Sequence, residues 1–365
     1  MRAAAAWWAG AAGRGAPEMG AGSANVKVLS LNTWWGLDGH GVLRMGAYET
    51  KGERRARRRG LIEFILRVDP DVVLLQEVCP LTAQAVREIE EGVCGVCASR
   101  LANGGVKLFD FGIPWGFKDG LVIIARNGMS LRNVVSKQLS GPPVLLKDYV
   151  CVQFGEARWI LGALIERAEA AVHVFNVHTH FSSPLNNSGR QGLEHLVKTG
   201  RIGSRAYGGL LRELESSAAR LHNEIRSAIE FAGLTVGCGC DPVVLGGDLN
   251  TEPSDTQAAE SFNMAGFRDL LEGDPRPSWD PLTNCLAQKS GPPLYPSGQR
   301  RTALDSLAAQ YDQVSRRVDY IFLKDPHNRV RNTRSDILEA RDDAGNWISD
   351  HAAVITTLDF TNVRP

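Results

Sequence analysis

Five times along this chain, a run of apolar residues of strand length ends on, or starts from, a carboxylate, a carboxamide or an imidazole. Pro242-Val243-Val244-Leu245 leads into Gly246-Gly247-Asp248-Leu249-Asn250, Leu29-Ser30-Leu31 into Asn32, and Val72-Val73-Leu74-Leu75 into Gln76-Glu77. Val174-Phe175-Asn176-Val177 leads into His178-Thr179-His180, and Ser349-Asp350-His351 stands ahead of the run Ala352 to Leu358. Strand side chains alternate between two faces, so Asp248 and Asn250 point the same way. One polar strand end needs no explanation, whereas five in one chain suggest that the ends gather in one place. If they do, everything between Asn32 and His351 has to fold as a unit.

Length alone is a weaker guide, because 365 residues would allow two domains of about 150 residues each. No low-complexity linker divides the polar ends, so a single domain over residues 25–361 is expected. Hydrophobic residues make up 43% of the chain, enough for a large core. Met1 to Ala24 is rich in Ala and Gly, and has no period that continues into the fold. A disordered or targeting tail is expected there.

Lysine plus arginine (41) equals aspartate plus glutamate (41), which argues against the global basic bias of non-specific DNA binders. Seven cysteines, an odd number, include Cys94-Gly-Val-Cys97 and Cys238-Gly-Cys240. Zinc would require those pairs to meet; unpaired thiols in a reducing compartment are the expectation, which favours the cytoplasm over secretion. No run approaches the roughly 18 apolar residues of a membrane span, so a soluble or peripheral protein would reach lipid from the water side. The oligomeric state is not legible.

Lys51 to Val68 carries the run Glu53-Arg54-Arg55-Ala56-Arg57-Arg58-Arg59, then Leu61, Ile62, Phe64, Ile65 and Val68 on one helical stripe. Asp69-Pro70-Asp71 stops this helix. The arginines read first as a solvated helix face, and second as an attractor of anionic lipid or nucleic acid. Leu121 to Ile124, Trp159 to Ile165 and Val172 to Val177 read as strands, and Leu211, Leu214, Ala218, Leu221, Ile225 and Ile229 predict a helix over Gly209 to Ala232. Ser182 to Gly208 reads as an exposed excursion suited to a lid or substrate loop, and Gly273 to Gln313 as a second irregular stretch.

Breaking a phosphate diester at neutral pH needs charge neutralised on the non-bridging oxygens, a deprotonated water in line, and a proton or positive charge at the leaving oxygen. Glu77 is a hard oxygen ligand suited to Mg²⁺. Asp319, in Arg317-Val318-Asp319-Tyr320-Ile321-Phe322, would be costly unpaired inside a strand. Accepting the Nδ1 proton of His351 resolves that cost and leaves the other ring nitrogen as a general base. Asp248 could position the water or touch the metal, Asn250 and Asn32 could donate to a phosphate oxygen, and His180 could protonate the leaving group. His178 reads as structural.

Leu31-Asn32-Thr33-Trp34, Leu75-Gln76-Glu77-Val78, Thr179-His180-Phe181, Gly247-Asp248-Leu249-Asn250, Arg317-Val318-Asp319-Tyr320-Ile321 and Ser349-Asp350-His351, in that order, resemble the endonuclease/exonuclease/phosphatase (DNase I-like) superfamily. The resemblance implies an α/β fold of four layers, two mixed β-sheets packed face to face with helices outside. It also implies a divalent cation, Mg²⁺ with Mn²⁺ as the substitute, between Asn32, Glu77 and Asp350. Leu31-Asn32-Thr33-Trp34-Trp35-Gly36-Leu37 and Gly120 to Arg126 are most similar to the neutral sphingomyelinase branch. That branch implies a phospholipase C type hydrolysis of sphingomyelin to ceramide and phosphocholine at a membrane surface, with Trp34, Trp35, Trp115 and Phe117 available to dip into it. A DNA or RNA nuclease is the alternative, with Arg54 to Arg59 the stretch to examine for a basic groove. An inositol-polyphosphate phosphatase ranks third, because its Pro-Ala-Trp-Cys-Asp-Arg type signature is absent. A catalytically dead binding protein would have lost one of the metal or base residues, and all are present.

Overall fold

The computed structural model describes residues 25–35, 37–38, 46–47, 49–104, 118–141, 145–147, 150–152, 157–167, 170–181, 187–200, 202–237, 241–288 and 314–360. The expected tail, Trp115, Phe117, Cys238, Cys240 and residues 289–313 lie outside that set.

In chain order the first elements are β1 (Asn25–Asn32), the two-residue strands β2 (Leu37–Asp38) and β3 (Gly46–Ala47), α1 (Lys51–Val68), β4 (Val72–Gln76), α2 (Ala83–Val93) and β5 (Val96–Gly104). The middle supplies β6 (Lys118–Ala125), β7 (Ser130–Ser140), the short β8 (Leu145–Lys147) and β9 (Val150–Val152), β10 (Arg158–Arg167) and β11 (Ala170–His178). Then come α3 (Asn187–Lys198), α4 (Ser204–Val236), β12 (Val243–Asp248), α5 (Thr256–Met264), β13 (Arg268–Asp269), β14 (Asp319–Lys324), β15 (Val330–Leu338) and β16 (Ala353–Phe360).

Two six-stranded sheets result, in the orders β15-β16-β1-β4-β6-β5 and β13-β14-β12-β11-β10-β7. Each contains one parallel pair, β1 with β4 and β11 with β12, among antiparallel neighbours. Alternation gives each central strand two apolar faces. Val28, Val72, Leu74, Ile123, Val174, Val244, Ile321 and Val354 fill the space between the sheets. Leu31, Val73 and Leu75 instead meet Phe64 and Ile65 of α1 and Ile89 of α2, while Phe175 and Leu245 meet Ile225 of α4 and Phe262 of α5. The four expected layers, helix, sheet, sheet, helix, follow from these faces.

The predicted bounds of α1 hold, and its ends explain why. Thr50 caps the first turn and Glu53 reaches back to the Thr50 N–H at 2.7 Å, a capping box. Asp69 ends the helix in a left-handed conformation with φ 51°. The excursion Ser182 to Gly208 needs correction. It contains α3, and the helix predicted from Gly209 already begins at Ser204 and runs on to Val236. Leu193 and Leu196 are the buried residues of α3, and the surrounding Ser, Asn and Gly hid that short stripe.

At one end of the inter-sheet core the apolar packing gives way to a polar bridge. Asn176 of β11 is fully buried, accepts from Gln76 Nε2 of β4 at 2.7 Å, and donates to the carbonyls of Leu75 (2.8 Å) and Val122 (2.9 Å). One side chain therefore satisfies three groups of the opposite sheet, and a buried polar group left unpaired costs about 1–3 kcal/mol. Asn176→Ala should lower the unfolding free energy by about 2–4 kcal/mol. Urea unfolding measures this, and a loss below about 1 kcal/mol would show the bridge to be dispensable.

Candidate active site

The alternation that packs the core also aims the polar residues. On the inner faces β1 presents Val26, Val28, Ser30 and Asn32, and β4 presents Val72, Leu74 and Gln76. In the second sheet β11 presents Val172, Val174, Asn176 and His178, and β12 presents Val244, Gly246 and Asp248. Antiparallel β6, β14 and β16 bring their first residues to the same end, which adds Asp119 and Asp319 and, just ahead of β16, Asp350 and His351. Across the second sheet His178 pairs in register with Asp248, and Asp248 with Asp319. Gly247 makes this close approach feasible: its φ is 147°, and a Cβ there would lie 1.8 Å from the Val177 carbonyl oxygen. Trp34, Glu77 and Asn250, all at strand exits, hold positive φ of 58°, 53° and 47°. Non-glycine residues seldom adopt this conformation, and here it turns each chain sharply at the site.

His351 Nδ1 lies 2.7 Å from Asp319 Oδ2, as the sequence predicts for a paired strand aspartate. The other ring nitrogen of His351 is 3.9 Å from Asp248 Oδ2 and 4.0 Å from Asp350 Oδ1. Asp248 Oδ2 accepts from Asn32 Nδ2 at 3.0 Å, tying β12 to β1 across the two sheets, while Asp248 Oδ1 accepts the Asn250 N–H at 2.9 Å. Asn250 Nδ2 donates to the Thr179 carbonyl at 3.0 Å, and Asn32 Oδ1 accepts the Trp34 N–H at 3.0 Å. Glu77 Oε2 accepts the Trp35 N–H at 2.9 Å. His180 donates its backbone N–H to Glu224 of α4 at 2.6 Å.

His178, read from the sequence as structural, sits inside the cluster. Its Nε2 is 3.5 Å from Asp248 Oδ2 and 3.7 Å from Glu77 Oε1, and Arg158 Nη1 lies 3.0 Å from its Nδ1. Arg158 Nη1 also lies 3.2 Å from His178 Nε2, so the guanidinium sits against both ring nitrogens. Alternation from the buried Asn176 could have revealed His178. Arg158 had no comparable signal, and Asp119 stands just ahead of the segment Gly120 to Arg126, whose apolar run and resemblance do not include it.

The arginine run also needs correction. Arg57 faces the protein: it donates to Glu49 Oε1 (2.7 Å), to the carbonyls of Trp34 (2.9 Å) and Ile348 (3.2 Å), and to the Thr33 carbonyl. Its guanidinium centre lies 5.1 Å over the Trp34 ring. One side chain thereby fastens the loop after Asn32 to the loop before Asp350. Trp34 is 1% exposed beneath it and forms part of the core, so it has no reach toward a bilayer. Ser349 reinforces the tie, donating to the Asn32 carbonyl and accepting the His351 N–H at 3.0 Å.

Crowded, buried carboxylates set the electrostatics. Burial pushes the Glu77 carboxyl up to about 8, and Asp350 and Asp119 add to the rise. Burial, then Asp319, raises Asp248 to about 6 against the stabilising N–H groups around it. Burial opposes charge on His351, but Asp319, Asp350 and Asp248 outweigh it and hold the imidazole well above its usual range. Crowded carboxylates are hard oxygen donors of the kind that fit a divalent cation. Glu77 and Asp350 are the pair best suited to hold it. Asp248, Asp319 and His351 also offer ligand atoms within 4.8 Å of one another, yet the 2.7 Å contact leaves no room for an ion between Asp319 and His351.

Residues 29–351 match the Endonuclease/Exonuclease/phosphatase family. Among curated proteins no sequence matches. A truncated TDP2 from Caenorhabditis elegans is similar in structure, with a TM-score of 0.54 at 14% identity over 92% of this chain and 98% of that one. TDP2 of D. rerio, complexed with a single-strand DNA product, gives 0.52 at 17% identity over 92% and 99%. An endonuclease/exonuclease/phosphatase from Bacteroides vulgatus gives 0.54 at 12% over 93% and 100%. At these identities the likeness is one of fold.

The raised carboxyls fix the sign of a pH effect in metal-free protein. Their stabilising contribution is complete below the unfolded values near 4.5 and 3.8 and is lost as pH rises through about 6 for Asp248 and about 8 for Glu77. The melting temperature in chelator should therefore fall between pH 5 and pH 8, by roughly several degrees, and divalent cation should restore it at pH 8. A flat profile with no response to cation at pH 8 would contradict this account of the cluster.

Proposed function

This chain belongs to the endonuclease/exonuclease/phosphatase family, and with that membership is a hydrolase; from that premise we propose that it hydrolyses phosphate diesters with a divalent cation, Mg²⁺ foremost, and that its substrate is a nucleic-acid strand. The observation that carries the reaction is the Asp319–His351 pair, 2.7 Å apart, facing Asp248 and His178. Asp319 fixes the His351 ring so that its Nε2 takes the proton of the attacking water. Asp248, between the two imidazoles, orients that water. His178 donates from Nε2 to the developing negative charge on phosphorus-bound oxygen, with Asn32 and Asn250 as further amide donors. Glu77 and Asp350 would hold the cation, which supplies Lewis-acid neutralisation of the phosphate and of the leaving oxygen. Asp350 is one of three carboxylates that hold the His351 ring in its charged form, so a cation held there would offset part of that charge, with Asp319 and Asp248 still facing the ring.

The donor is assigned to His178 ahead of His180 on distance to the carboxylates. The water oxygen forms its bond to phosphorus as the ester oxygen departs, so one proton leaves for His351 and the leaving oxygen develops the charge to be neutralised.

Guanidinium groups support the nucleic-acid reading. Arg158 abuts His178, and the Arg316 guanidinium centre lies 4.3 Å over Trp279 and 5.8 Å from the Phe181 ring. Phe181 is exposed and directly follows His180. Arg158, Arg316 and Trp279 are themselves buried, so what reaches a substrate is the exposed Phe181 ring, which suits a stacking base, and the positive charge behind it, which suits a polyanion better than a phosphocholine headgroup bearing its own cation. The single-strand DNA product bound by the D. rerio TDP2 agrees with this choice. The second reading, sphingomyelin hydrolysis, rests on the opening motif Leu31 to Leu37.

Purified protein should degrade a single-stranded oligonucleotide in Mg²⁺ and lose that turnover in EDTA. His351→Ala should lower kcat by about 10²–10⁴-fold, and His178→Ala should cost more than His180→Ala. Sphingomyelin vesicles, plasmid DNA and phosphoinositides are run in parallel. Hydrolysis of sphingomyelin with every nucleic acid untouched transfers the assignment to the second reading, and undiminished turnover in EDTA removes the metal.

A further inference from the structure

Ser278 lies in the turn segment between β13 and β14, far in sequence from every residue given a catalytic role, and is 2% exposed. Its Oγ accepts two consecutive backbone N–H groups, those of Val318 and Asp319, both at 3.0 Å. Its carbonyl accepts the N–H of Ala352 at 2.6 Å, and its own N–H donates to the Arg316 carbonyl at 2.9 Å. Consecutive N–H groups of a regular strand point to opposite sides. One oxygen bonded to both marks a bend at the entry to β14, at the residue whose carboxylate meets His351.

Ser278 thus touches the backbone at both partners of the pair, at Asp319 itself and at the residue following His351. The next residue extends the tie, since Trp279 forms isolated bridges with both Arg316 and His351. Farther along the same segment, Asn284 Nδ2 donates to the Ser349 carbonyl at 2.9 Å, two residues before His351. Asp319 opens β14 in one sheet and His351 stands just ahead of β16 in the other, and the Ser278 segment is a third element bonded to the backbone on both sides of their 2.7 Å contact.

We propose that Ser278 is a positioning residue for the reaction, whose hydroxyl and carbonyl hold the Asp319 carboxylate and the His351 imidazole in register. It acts through Asp319 and has no contact with substrate. The inference rests on the reading of Asp319 and His351 as the proton-handling pair. Its consequence is that loss of the hydroxyl, which bonds the Val318 and Asp319 N–H groups, slows the chemical step while leaving substrate binding alone, because Glu77 and the phosphate donors His178, Asn32 and Asn250 sit on other segments.

The test compares Ser278→Ala, Ser278→Thr, Asp319→Asn and His351→Ala, with the oligonucleotide and with bis(p-nitrophenyl) phosphate, in Mg²⁺. Ser278→Ala should lower kcat by about 10- to 100-fold with KM within about twofold; Ser278→Thr, which keeps the acceptor, should recover most of the loss. The downfield Nδ1 proton resonance of His351, identified by its absence in His351→Ala, should shift or broaden in Ser278→Ala and return in Ser278→Thr. If Ser278→Ala does not fold, Ser278→Cys, a weaker acceptor at the same place, is read in its stead with the same expectation. Wild-type kcat in the Ser278 variant beside inactive Asp319→Asn and His351→Ala overturns the positioning role alone. Full activity in Asp319→Asn and His351→Ala overturns the underlying mechanism instead. A rise in KM at unchanged kcat also refutes the proposal, since it would put Ser278 in binding.

Discussion

The structure depends on two sheets being held face to face at the end where their apolar packing stops. Toward the other end Val28, Val72, Val174 and Val244 close the gap with non-directional contacts that tolerate small slips. At the functional end the closure passes to directional bonds, Asn176 with Gln76 and Asp248 with Asn32. Directional bonds fix register, and register decides whether Asp248, Asp319 and His178 share one cluster. A one-residue slip of β12 against β11 would turn Asp248 toward the helices. Fold and site are therefore set by the same few hydrogen bonds, and the cross-sheet pair Asn32–Asp248 belongs to both.

The cluster these bonds assemble is unfavourable taken by itself. Asp248, Asp319 and Asp350 are buried together with the partly exposed Glu77 beside them, and the upward shifts of Glu77 to about 8 and of Asp248 to about 6 reflect that crowding. Such strain persists where the surroundings over-determine it. Here the surroundings are Arg57, which gathers the carbonyls of Thr33, Trp34 and Ile348, and Ser349, which links Asn32 to His351. Positive-φ backbone at Trp34, Glu77 and Asn250 sits at the same exits, so conformational strain and charge repulsion are concentrated in one shell. A divalent cation held there would relieve the repulsion and so couple stability to the cofactor.

What was legible in the sequence was whatever a local pattern encodes. The bounds of α1 followed from its stripe and its stop signal, and the convergence of Asn32, Glu77, Asp248, Asp319 and His351 followed from repeated polar strand ends. The Asp319–His351 pairing was legible because an unpaired aspartate in a strand is costly. His178 reads as structural because a lone strand histidine so often is, and the alternation through Asn176 places it on the inner face, beside Asp248 and Glu77. The ties made by Ser278 and Arg57 were not legible. They bind backbone atoms, which carry no residue signature, across separations of 40 residues from Ser278 to Val318 and 291 from Arg57 to Ile348.

The fate of the arginine run shows how far charge counting can mislead about substrate. A sequence with equal numbers of basic and acidic residues gives no hint of polyanion binding, and its densest basic stretch spends Arg57 on loop carbonyls and Arg58 on Glu88. The guanidinium groups nearest the cluster come singly and are buried, Arg158 beside His178 and Arg316 between Trp279 and Phe181. The cluster of carboxylates and imidazoles recognises only the phosphate, a group that lipids and nucleic acids share. Selection between them must then rest on what flanks that phosphate, and the proposed preference for a chain of bases rests on the exposed Phe181 ring with buried guanidinium charge behind it.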